Sequence, residues 1–273
     1  MDGVRNIGGK SSATAVILAG GRGTRLRPYT VAFPKPLVPV GDNPILEIII
    51  AQLSRDGFRR VIITVGHMAG LIEAYFGDGS QWGVSIEYAR ESEPLGTAGP
   101  LRAFRERLPE HFLVLNGDVL SDLDYAAFLR AHRDDSHRPQ ITISSHIRSL
   151  NSEFGVIDSG PTGVVTGYRE KPAVQFCVSE GVYAFSRSAL DWIPPSERFD
   201  FPELILALLA ARQVVVSKRH EGLWLDIGRP DDYERAQSMI AEHADRLLPK
   251  TITRRSNVML ETAPHESARP GSI

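Results

Sequence analysis

The sequence has little of several features that mark other classes of protein. Its 273 residues include one cysteine, Cys177, which excludes an internal disulfide framework and a multi-cysteine zinc site. The setting Phe176-Cys177-Val178 is typical of a small apolar residue in a strand rather than of a reactive thiol. No apolar run reaches the length of a transmembrane helix, and the run over 13–19 is too short for the core of a signal peptide. We therefore expect a cytoplasmic protein.

An excess of charge of one sign is also missing. Lysine and arginine number 31 against 33 aspartates and glutamates, a formal net charge of −2. Such a near-neutral chain gives no reason to expect nucleic acid or an anionic membrane as a partner. Hydrophobic residues at 42% and charged residues at 23% match an ordinary globular domain. Any phosphate chemistry must then use a few placed cations instead of a basic surface.

Long linkers, low-complexity tracts and repeats at solenoid periods are absent from the sequence as well. Residues 1–12 are small, polar and glycine-rich, and we expect a flexible leader there. Residues 249–273 have little periodicity, and we expect a disordered tail. The span 13–248 is left as one folded domain.

Short apolar runs alternate with helical patterns along the first half of the chain. The uninterrupted apolar run TAVILA over 14–19 is typical of a strand buried on both faces. Further strands are expected over 60–65, 84–88, 112–115 and 140–146, with helices over 44–55, 68–76, 98–108 and 122–132. Short strands over 155–157, 164–168 and 181–185 follow, then helices over 201–211 and 230–243. The pattern predicts an α/β fold with a Rossmann-like, mixed but mostly parallel sheet flanked by helices, plus a small antiparallel elaboration on the substrate side.

A loop rich in glycine and arginine follows the first strand. Ligands of open α/β sheets bind beyond the carboxyl ends of strands, which is where this loop lies. Glycines let backbone N–H groups approach phosphate oxygens closely, and arginines add charged donors. The sequence is neither G-x-G-x-x-G nor a Walker A motif, and a tight strand-to-helix turn is the structural alternative. The candidate nucleotide-binding residues here are Leu18, Ala19, Gly20, Gly21, Gly23 and Thr24.

Lys35 stands between two prolines ten residues beyond this loop. Prolines fix φ and restrict the residues before them, so the lysine is presented rigidly, as suits a cation aimed at a phosphoryl group. Alone, the segment would more often be an exposed lysine in a proline-rich loop. The preceding loop favours the phosphate-binding interpretation.

These segments carry a family resemblance. The strings GGRGTRL over 20–26, PKPL over 34–37, NGD over 116–118, EKP over 170–172 and WLDIG over 224–228 occur in this order. They resemble the signatures of the sugar-1-phosphate nucleotidylyltransferases, and the resemblance covers about residues 14–240. It is strongest to the guanylyltransferases for mannose 1-phosphate and heptose 1-phosphate, in a short form without a β-helix domain. The resemblance implies transfer of a nucleoside monophosphate from a triphosphate to a sugar 1-phosphate, with release of pyrophosphate.

The same resemblance implies roles for the charged residues. Arg25 matches the arginine that contacts the β and γ phosphates, and Lys35 matches the lysine near the α phosphate. Lys171 matches the lysine that holds the phosphate of the sugar 1-phosphate, which completes the catalytic set. Asp118 and Asp226 match the paired aspartates that bind Mg²⁺, a cofactor that prefers one or two carboxylates plus phosphate oxygens and water.

Base selection is expected near Gly96 and Thr97, where a glycine lets a flat base lie against the backbone. Glu91 stands where thymidylyl- and uridylyltransferases of this family often carry glutamine. A carboxylate can accept from N1–H and N2–H₂ of guanine, whereas it would face acceptor oxygens in uracil or thymine. We therefore predict GTP, with UTP, dTTP or CTP as alternatives. Glu93 is a second candidate reader, and an ordinary solvated loop charge is the structural alternative for both.

The sugar side depends on the resemblance alone. It implies that the backbone of Gly155 faces the sugar and that Glu170 binds a hydroxyl group. Asn116 and Gly117 are assigned to the same sugar-phosphate site. Asp200 precedes a helix and is either only its cap or a part of the sugar pocket, and we do not include it among the site residues. The sequence does not choose among hexose, heptose, octose, cyclitol and amino-sugar phosphates.

Two other functions are alternatives to nucleotidyl transfer. A glycosyltransferase that uses a finished nucleotide-sugar would share a related sheet and a metal aspartate, but it does not need the arginine loop and the Pro-Lys-Pro segment. A nucleotide-sugar sensor would not need the full set of cations and aspartates.

None of the eight histidines lies in a metal-binding sequence pattern. Asp122 and Asp124 are interpreted as the start of a helix. A homodimer is compatible with a chain that shows no hexapeptide repeat.

Overall fold

The protein is described here by a computed structural model that covers residues 13–91, 93–195 and 197–250. The predicted leader over 1–12 lies outside the described residues, as does the predicted tail from residue 251 onward.

Strands and helices alternate along the chain as the apolar pattern predicts. The strands are β1 (Ala13–Ala19), β2 (Pro39–Val40), β3 (Asn43–Pro44), β4 (Phe58–Val65), β5 (Ser85–Arg90), β6 (His111–Asn116), β7 (Val119–Ser121), β8 (Ile141–Asn151), β9 (Val156–Ser159), β10 (Val165–Arg169), β11 (Ala173–Ser186), β12 (Val215–Arg219) and β13 (Trp224–Asp226). The helices are α1 (Ile45–Arg55), α2 (Ala69–Phe76), α3 (Tyr125–Arg133), α4 (Phe201–Ala210) and α5 (Pro230–Leu247).

A seven-stranded sheet forms the centre, in the order β12-β8-β11-β6-β1-β4-β5. β1, β4, β5 and β6 run parallel to one another, and β12 runs parallel to β8. Only β11 is antiparallel to both of its neighbours in this sheet. The predicted Rossmann-like, mixed and mostly parallel sheet is therefore confirmed.

Both faces of the sheet are covered. In β1, Ala15 and Ile17 pack into one apolar core, while Val16 between them packs into the other. Helices α1, α2, α3 and α5 cover the first face. Helix α4 and the 3₁₀ helices Gly99–Arg107 and Arg187–Trp192 cover the second. Burial on two sides explains why β1 has no polar alternation.

Several elements differ from the prediction. The helix expected over 98–108 is the 3₁₀ helix Gly99–Arg107, in which the Leu101 N–H donates to the carbonyl of Ala98 at 3.0 Å. Strands β7 and β13 pair with each other over three residues each, too few to give a periodic signal. Strand β11 has 14 residues where five were expected.

The extra length of β8 and β11 builds a projection that we call the arm, defined as residues 147–178. It contains the outer pairing of β8 with β11 and the β9–β10 hairpin. Its large apolar side chains are exposed, among them Phe154 at 76% and Tyr168 at 63%. The arm is the antiparallel elaboration that the sequence predicts.

Within the described ranges, no helix is both long and apolar enough to cross a membrane.

Candidate active site

A pocket of about 510 Å³ opens at the carboxyl ends of the parallel strands β1, β4 and β6. This is the position at which open α/β sheets bind ligands. Its lining comes from segments far apart in sequence, namely Leu18, Ala19, Gly20, Gly21, Arg22, Gly23, Thr24, Arg25, Lys35, Pro36, Thr64, Glu91, Pro94, Gly96, Thr97, Asn116, Gly117, Asp118, Arg198, Asp200, Asp226 and Gly228.

The glycine loop packs directly against the proline-flanked lysine. Gly23 has a φ of +60°, and a Cβ there would lie 2.9 Å from Cβ of Lys35. The Thr30 hydroxyl donates to the carbonyl of Gly23 at 2.8 Å, which holds the loop in this position. The two sequence motifs therefore form one structural unit, and only glycine fits at their contact.

The loop also packs against the candidate base-reading residue. A Cβ on Gly20 would lie 2.8 Å from Oε1 of Glu91, and one on Gly66 would lie 2.8 Å from the carbonyl oxygen of Gly20. The Leu95 N–H donates to Oε2 of Glu91 at 3.3 Å. Burial raises the pKa of Glu91, and the hydrogen bond from Leu95 opposes the rise.

Two aspartates meet a lysine at the floor of the pocket. The Lys35 ammonium forms an ion pair with Oδ2 of Asp118, and the Ile227 N–H donates to the Asp118 carbonyl at 3.1 Å. Asp226 ends β13, which pairs with β7 next to Asp118. Asp226 is solvent-accessible, but desolvation by the surrounding pocket residues, and then the neighbouring Asp118, raise its pKa, while Lys35 and Arg25 oppose this.

These two carboxylates fit a divalent cation. Oδ1 of Asp118 is buried and has no hydrogen-bond partner among the described residues. An orphaned carboxylate oxygen beside a second carboxylate is costly unless a cation occupies the space between them. Carboxylate oxygens are the ligands that a hard ion such as Mg²⁺ prefers.

The other end of the pocket is tied to the start of α4. Gly96 has a φ of +81°, and a Cβ there would lie 2.7 Å from Oδ1 of Asp200 and 2.7 Å from the Phe199 carbonyl. The same Oδ1 accepts from the Thr97 N–H at 2.8 Å. The interpretation of Asp200 as a cap is confirmed, since Glu203 completes a capping box with it, but Asp200 also lines the pocket.

Most residues assigned from the sequence thus meet in one place. Every predicted nucleotide-binding residue lines the pocket, as do Arg25, Lys35, Asn116, Gly117, Asp118 and Asp226. The lining also includes residues that were not predicted as site residues, namely Arg22, Pro36, Thr64, Pro94, Arg198, Asp200 and Gly228. No motif near Arg198 indicated this, because it lines the pocket only through its position before α4. Its guanidinium forms an ion pair with Asp200 at 3.4 Å.

The remaining predicted residues lie elsewhere. Gly155, Glu170 and Lys171 are on the arm and do not line the pocket. The Tyr168 hydroxyl donates to Glu170 at 2.6 Å and lies 2.1 Å from the position of a Cβ on Gly155, so these residues form one cluster. Lys171 is exposed and has a φ of +41°. The sugar-phosphate roles of these three residues stay predictions.

Three further expectations can be compared with the structure. Asp124 caps α3 by accepting from the Ala127 N–H at 2.7 Å, as predicted. Asp122 does not belong to that helix: its carboxylate pairs with His220 and Arg246. The helix begins three residues later, at Tyr125, because Asp124 supplies the cap. Cys177 is in a strand as predicted, but it is exposed.

Comparison with known proteins gives a consistent result. The family model described as Nucleotidyl transferase matches residues 14–243. The chain is 34% identical over 243 residues to a UTP–glucose-1-phosphate uridylyltransferase of Synechocystis, covering 81% of this chain and 62% of that protein. It is 34% identical over 231 residues to a mannose-1-phosphate guanylyltransferase of Mycobacterium tuberculosis, covering 82% of this chain and 63% of that protein.

A solved structure shows the same fold. The HddC protein of Yersinia pseudotuberculosis, determined with GMP-PN, superposes with a TM-score of 0.65 at 26% identity. The match covers 84% of this chain and 99% of that one. The chain spans less than two thirds of the length of the two curated relatives.

Proposed function

The chain belongs to the nucleotidyl transferase family, and on that premise we propose that it transfers a nucleoside monophosphate from a triphosphate to a sugar 1-phosphate. Pyrophosphate is the second product. The observation that carries the proposal is the meeting of the glycine loop, Lys35, Asp118 and Asp226 in one pocket at the strand ends.

The pocket has what in-line transfer at a phosphorus atom requires. An oxygen of the sugar phosphate attacks the α phosphorus, the bond to the β phosphate oxygen breaks, and pyrophosphate leaves. No covalent intermediate on the protein is needed, so the residues position the reactants and neutralise charge. We assign Lys35 to the α phosphate and Arg25 to the β and γ phosphates of the leaving group. The backbone N–H groups around Gly20 and Gly21 add donors for the phosphate oxygens.

Asp118 and Asp226 would hold Mg²⁺, because both carboxylates line the pocket and Oδ1 of Asp118 has no hydrogen-bond partner among the described residues. When bound, the ion supplies charge neutralisation and a template for the triphosphate. The ion pair of Lys35 with Oδ2 of Asp118 keeps the lysine beside this pair of carboxylates.

We propose that the sugar 1-phosphate is held from two sides. Asn116 and Gly117 lie at the pocket end of β6, whereas Gly155, Glu170 and Lys171 are on the arm. Lys171 would neutralise the sugar phosphate, and Glu170 would accept from a sugar hydroxyl. These arm residues do not line the pocket, and we propose that the arm approaches it when the second substrate binds.

We propose guanine as the base. Glu91 lies against Gly20 at the pocket wall and is half-buried, so an ionised carboxylate there needs donors. Guanine offers N1–H and N2–H₂ on one edge, whereas uracil and thymine offer one N–H between two carbonyl oxygens. The relatives include both uridylyl- and guanylyltransferases, so this preference depends on Glu91 and not on similarity. UTP, dTTP and CTP are the alternatives.

The cytoplasm is the compartment that we propose for this reaction, on the composition of the chain. A homodimer stays a prediction.

A matrix of substrates tests the proposal. The full chain is incubated with Mg²⁺, one of GTP, UTP, dTTP, CTP or ATP, and a panel of sugar 1-phosphates, and pyrophosphate release is measured. We expect release that depends on both substrates, with GTP preferred. The control is Asp118→Ala, which should release none above background. Absence of release with every pair would refute the transferase proposal, and a preference for UTP or dTTP would refute only the assignment of guanine.

A further inference from the structure

A second group of candidate metal ligands lies away from the paired aspartates. His146 is on β8, Glu180 on β11, and His220 directly follows β12, so the three residues come from neighbouring strands of the sheet. The His220 N–H donates to the carbonyl of Ser145 at 2.8 Å, which continues the pairing of β12 with β8. Glu180 lies in the irregular part of β11, where the register with β8 shifts between Ser179 and Tyr183. These residues are 34 to 74 positions apart in sequence, which is why no local motif indicated them.

The three side chains converge closely. Nδ1 of His220 lies 2.8 Å from Oε1 of Glu180, and Nδ1 of His146 lies 3.5 Å from the same oxygen. One ligand atom from each residue lies within 4.8 Å of the others. Zinc binds nitrogen and oxygen at about 2.0–2.1 Å in a tetrahedron, which puts ligand atoms about 3.3 Å apart. The two separations from Glu180 are close to this value, and the two histidines, whose ligand atoms lie within 4.8 Å of each other, would have to approach to it.

The group is enclosed, as a built metal site would be. The side chain of Glu180 is 0% exposed, and those of His220 and His146 are 12% and 26% exposed. The Ser144 hydroxyl donates to the second carboxylate oxygen of Glu180, and the Trp224 indole N–H donates to its backbone carbonyl at 3.0 Å. A buried carboxylate fixed in this way is costly without a cation beside it.

The second ring nitrogen of His220 is oriented by another acceptor. Nε2 of His220 lies 3.0 Å from Oδ1 of Asp122, a carboxylate that is itself held by Arg246 and by the Leu223 N–H at 2.8 Å. Nδ1 of His146, the nitrogen that faces Glu180, also lies 3.1 Å from the backbone carbonyl of His220, and metal binding at this nitrogen would replace that hydrogen bond. Metal-binding histidines usually donate their second N–H to a carboxylate or a carbonyl, which fixes the tautomer and the ring plane.

We propose that His146, Glu180 and His220 form a binding site for a divalent transition-metal ion of the zinc type, separate from the proposed Mg²⁺ site. Two imidazoles and one carboxylate favour Zn²⁺ over Mg²⁺, which prefers oxygen ligands throughout. The three protein ligands leave one position for water. The ion takes the place of a proton between His220 and Glu180, so binding weakens as the pH falls.

The site would stabilise the wall of the pocket. Gly181, next to Glu180, has a φ of +76°, and a Cβ there would lie 2.6 Å from Nδ2 of Asn116. A metal that fixes Glu180 therefore fixes the backbone against which Asn116 packs. The ion joins β8, β11 and the segment after β12 at the base of the arm.

The experiment measures metal binding directly and does not use transferase activity. The full chain is treated with a chelator, dialysed and titrated with Co²⁺, followed by visible absorption, and Zn²⁺ content is measured by mass spectrometry. We expect one ion per chain, a tetrahedral d–d absorption band and a higher melting temperature with Zn²⁺. His146→Asn should weaken binding at least 100-fold, and Asp122→Asn about 10- to 100-fold.

Matched variants separate this site from others. Asp118→Asn, which changes the proposed Mg²⁺ pair, and His137→Asn, an exposed histidine outside the cluster, should both keep the zinc. Glu180→Gln tests the buried ligand, and circular dichroism checks that each variant is folded. Absence of a d–d band in the unaltered protein would overturn the proposal and leave His220 as the cation between two carboxylates. Undiminished binding by folded His146→Asn would overturn it as well.

Discussion

The nucleotide pocket and the arm are built on different principles. The pocket lies at the ends of strands that are buried on both faces, and its glycines contact neighbours so closely that a Cβ at Gly23 or Gly96 would collide. The arm is a pair of long strands with a hairpin, and its large apolar side chains are mostly exposed. The core of the sheet therefore fixes the position of the nucleotide residues, whereas the position of Lys171 depends on that of the arm.

This difference indicates how the two substrates are handled. The residues proposed for the triphosphate are assembled in the structure, whereas those proposed for the sugar phosphate are divided between the pocket and the arm. We expect triphosphate binding to be insensitive to changes in the arm. Binding of the sugar phosphate should respond to changes in either region.

The largest effect is expected on the pocket side. Lys35→Ala and Asp118→Ala should each lower kcat about 10²- to 10⁴-fold, because charge neutralisation at the transferred phosphoryl group is lost. Pyrophosphate release at saturating substrates measures this. Lys218→Ala, which changes a lysine on β12 at the sheet edge, is the control and should behave as the unaltered protein. Near-normal kcat in folded Lys35→Ala would contradict its assignment.

Lys171 is the proposed phosphate-binding cation on the arm. Lys171→Ala should raise KM for the sugar 1-phosphate about 10- to 100-fold, because one charged hydrogen bond to phosphate is lost. The dissociation constant of the triphosphate, measured by calorimetry, should not change. A weaker triphosphate affinity in this variant would show that the two regions are not independent.

Base preference should depend on one pocket residue. Glu91→Gln should lower the preference for GTP over UTP in kcat/KM about tenfold, since an amide can donate to a uracil carbonyl where a carboxylate cannot. Competition between the two triphosphates measures the ratio. An unchanged ratio would exclude Glu91 as the base reader. Glu93→Gln is the matched control, and its ratio should stay as in the unaltered chain.

The arm carries a natural reporter in Cys177, which is exposed on β11 and is the single cysteine of the chain. If the arm approaches the pocket on binding, the rate of thiol modification should change several-fold when triphosphate and an unreactive sugar-phosphate analogue are both present. The triphosphate alone should change it little. Equal rates in all three conditions would contradict the proposed movement.

The smallest effect concerns stability and pH. The pKa of Asp226 is raised in the folded state by burial and by Asp118, so the unfolded chain gives up this proton at lower pH. Stability is therefore lost as the pH rises from the ordinary aspartate pKa to the raised one. Asp226→Asn removes that loss, and in metal-free buffer its melting temperature should be slightly higher at neutral pH, because solvent screening at this exposed residue keeps the effect small.

Thermal melts across a pH series measure this effect. The advantage of Asp226→Asn should shrink below the ordinary aspartate pKa, where both proteins are neutral at this position. The control is Asp42→Asn, which changes an exposed aspartate and should follow the unaltered chain. A neutral-pH melting temperature for Asp226→Asn at or below that of the unaltered chain would contradict the argument.

Sequence reasoning succeeded where the signal was local. The TAVILA strand and the glycine loop after it are contiguous, so the pattern that buries β1 also places Gly20 at the pocket. It failed where residues that are distant in sequence become neighbours in the folded chain. Arg198 reaches the pocket, and Asp122 reaches His220, only because distant segments become neighbours after folding.

The arm shows a different limit. β8 and β11 are longer than expected, and the outer part of β8, IRSLN over 147–151, lacks the apolar alternation that burial on one face imposes. Where a segment projects from the core, neither face is buried, and the hydrophobic periodicity of its sequence says little about where a strand begins or ends. The position of Lys171 relative to the pocket could not be derived for that reason.

The pairing of β8 with β11 has a consequence for engineering. Ile147 faces Cys177, and His146 faces Val178, so the chain leaves for the arm and returns from it at adjacent positions. A two-residue turn between His146 and Val178 could therefore replace the whole excursion without changing the order of the sheet strands. The part of the proposed acceptor site that lies on the arm could thus be removed or exchanged without altering the pocket at the strand ends.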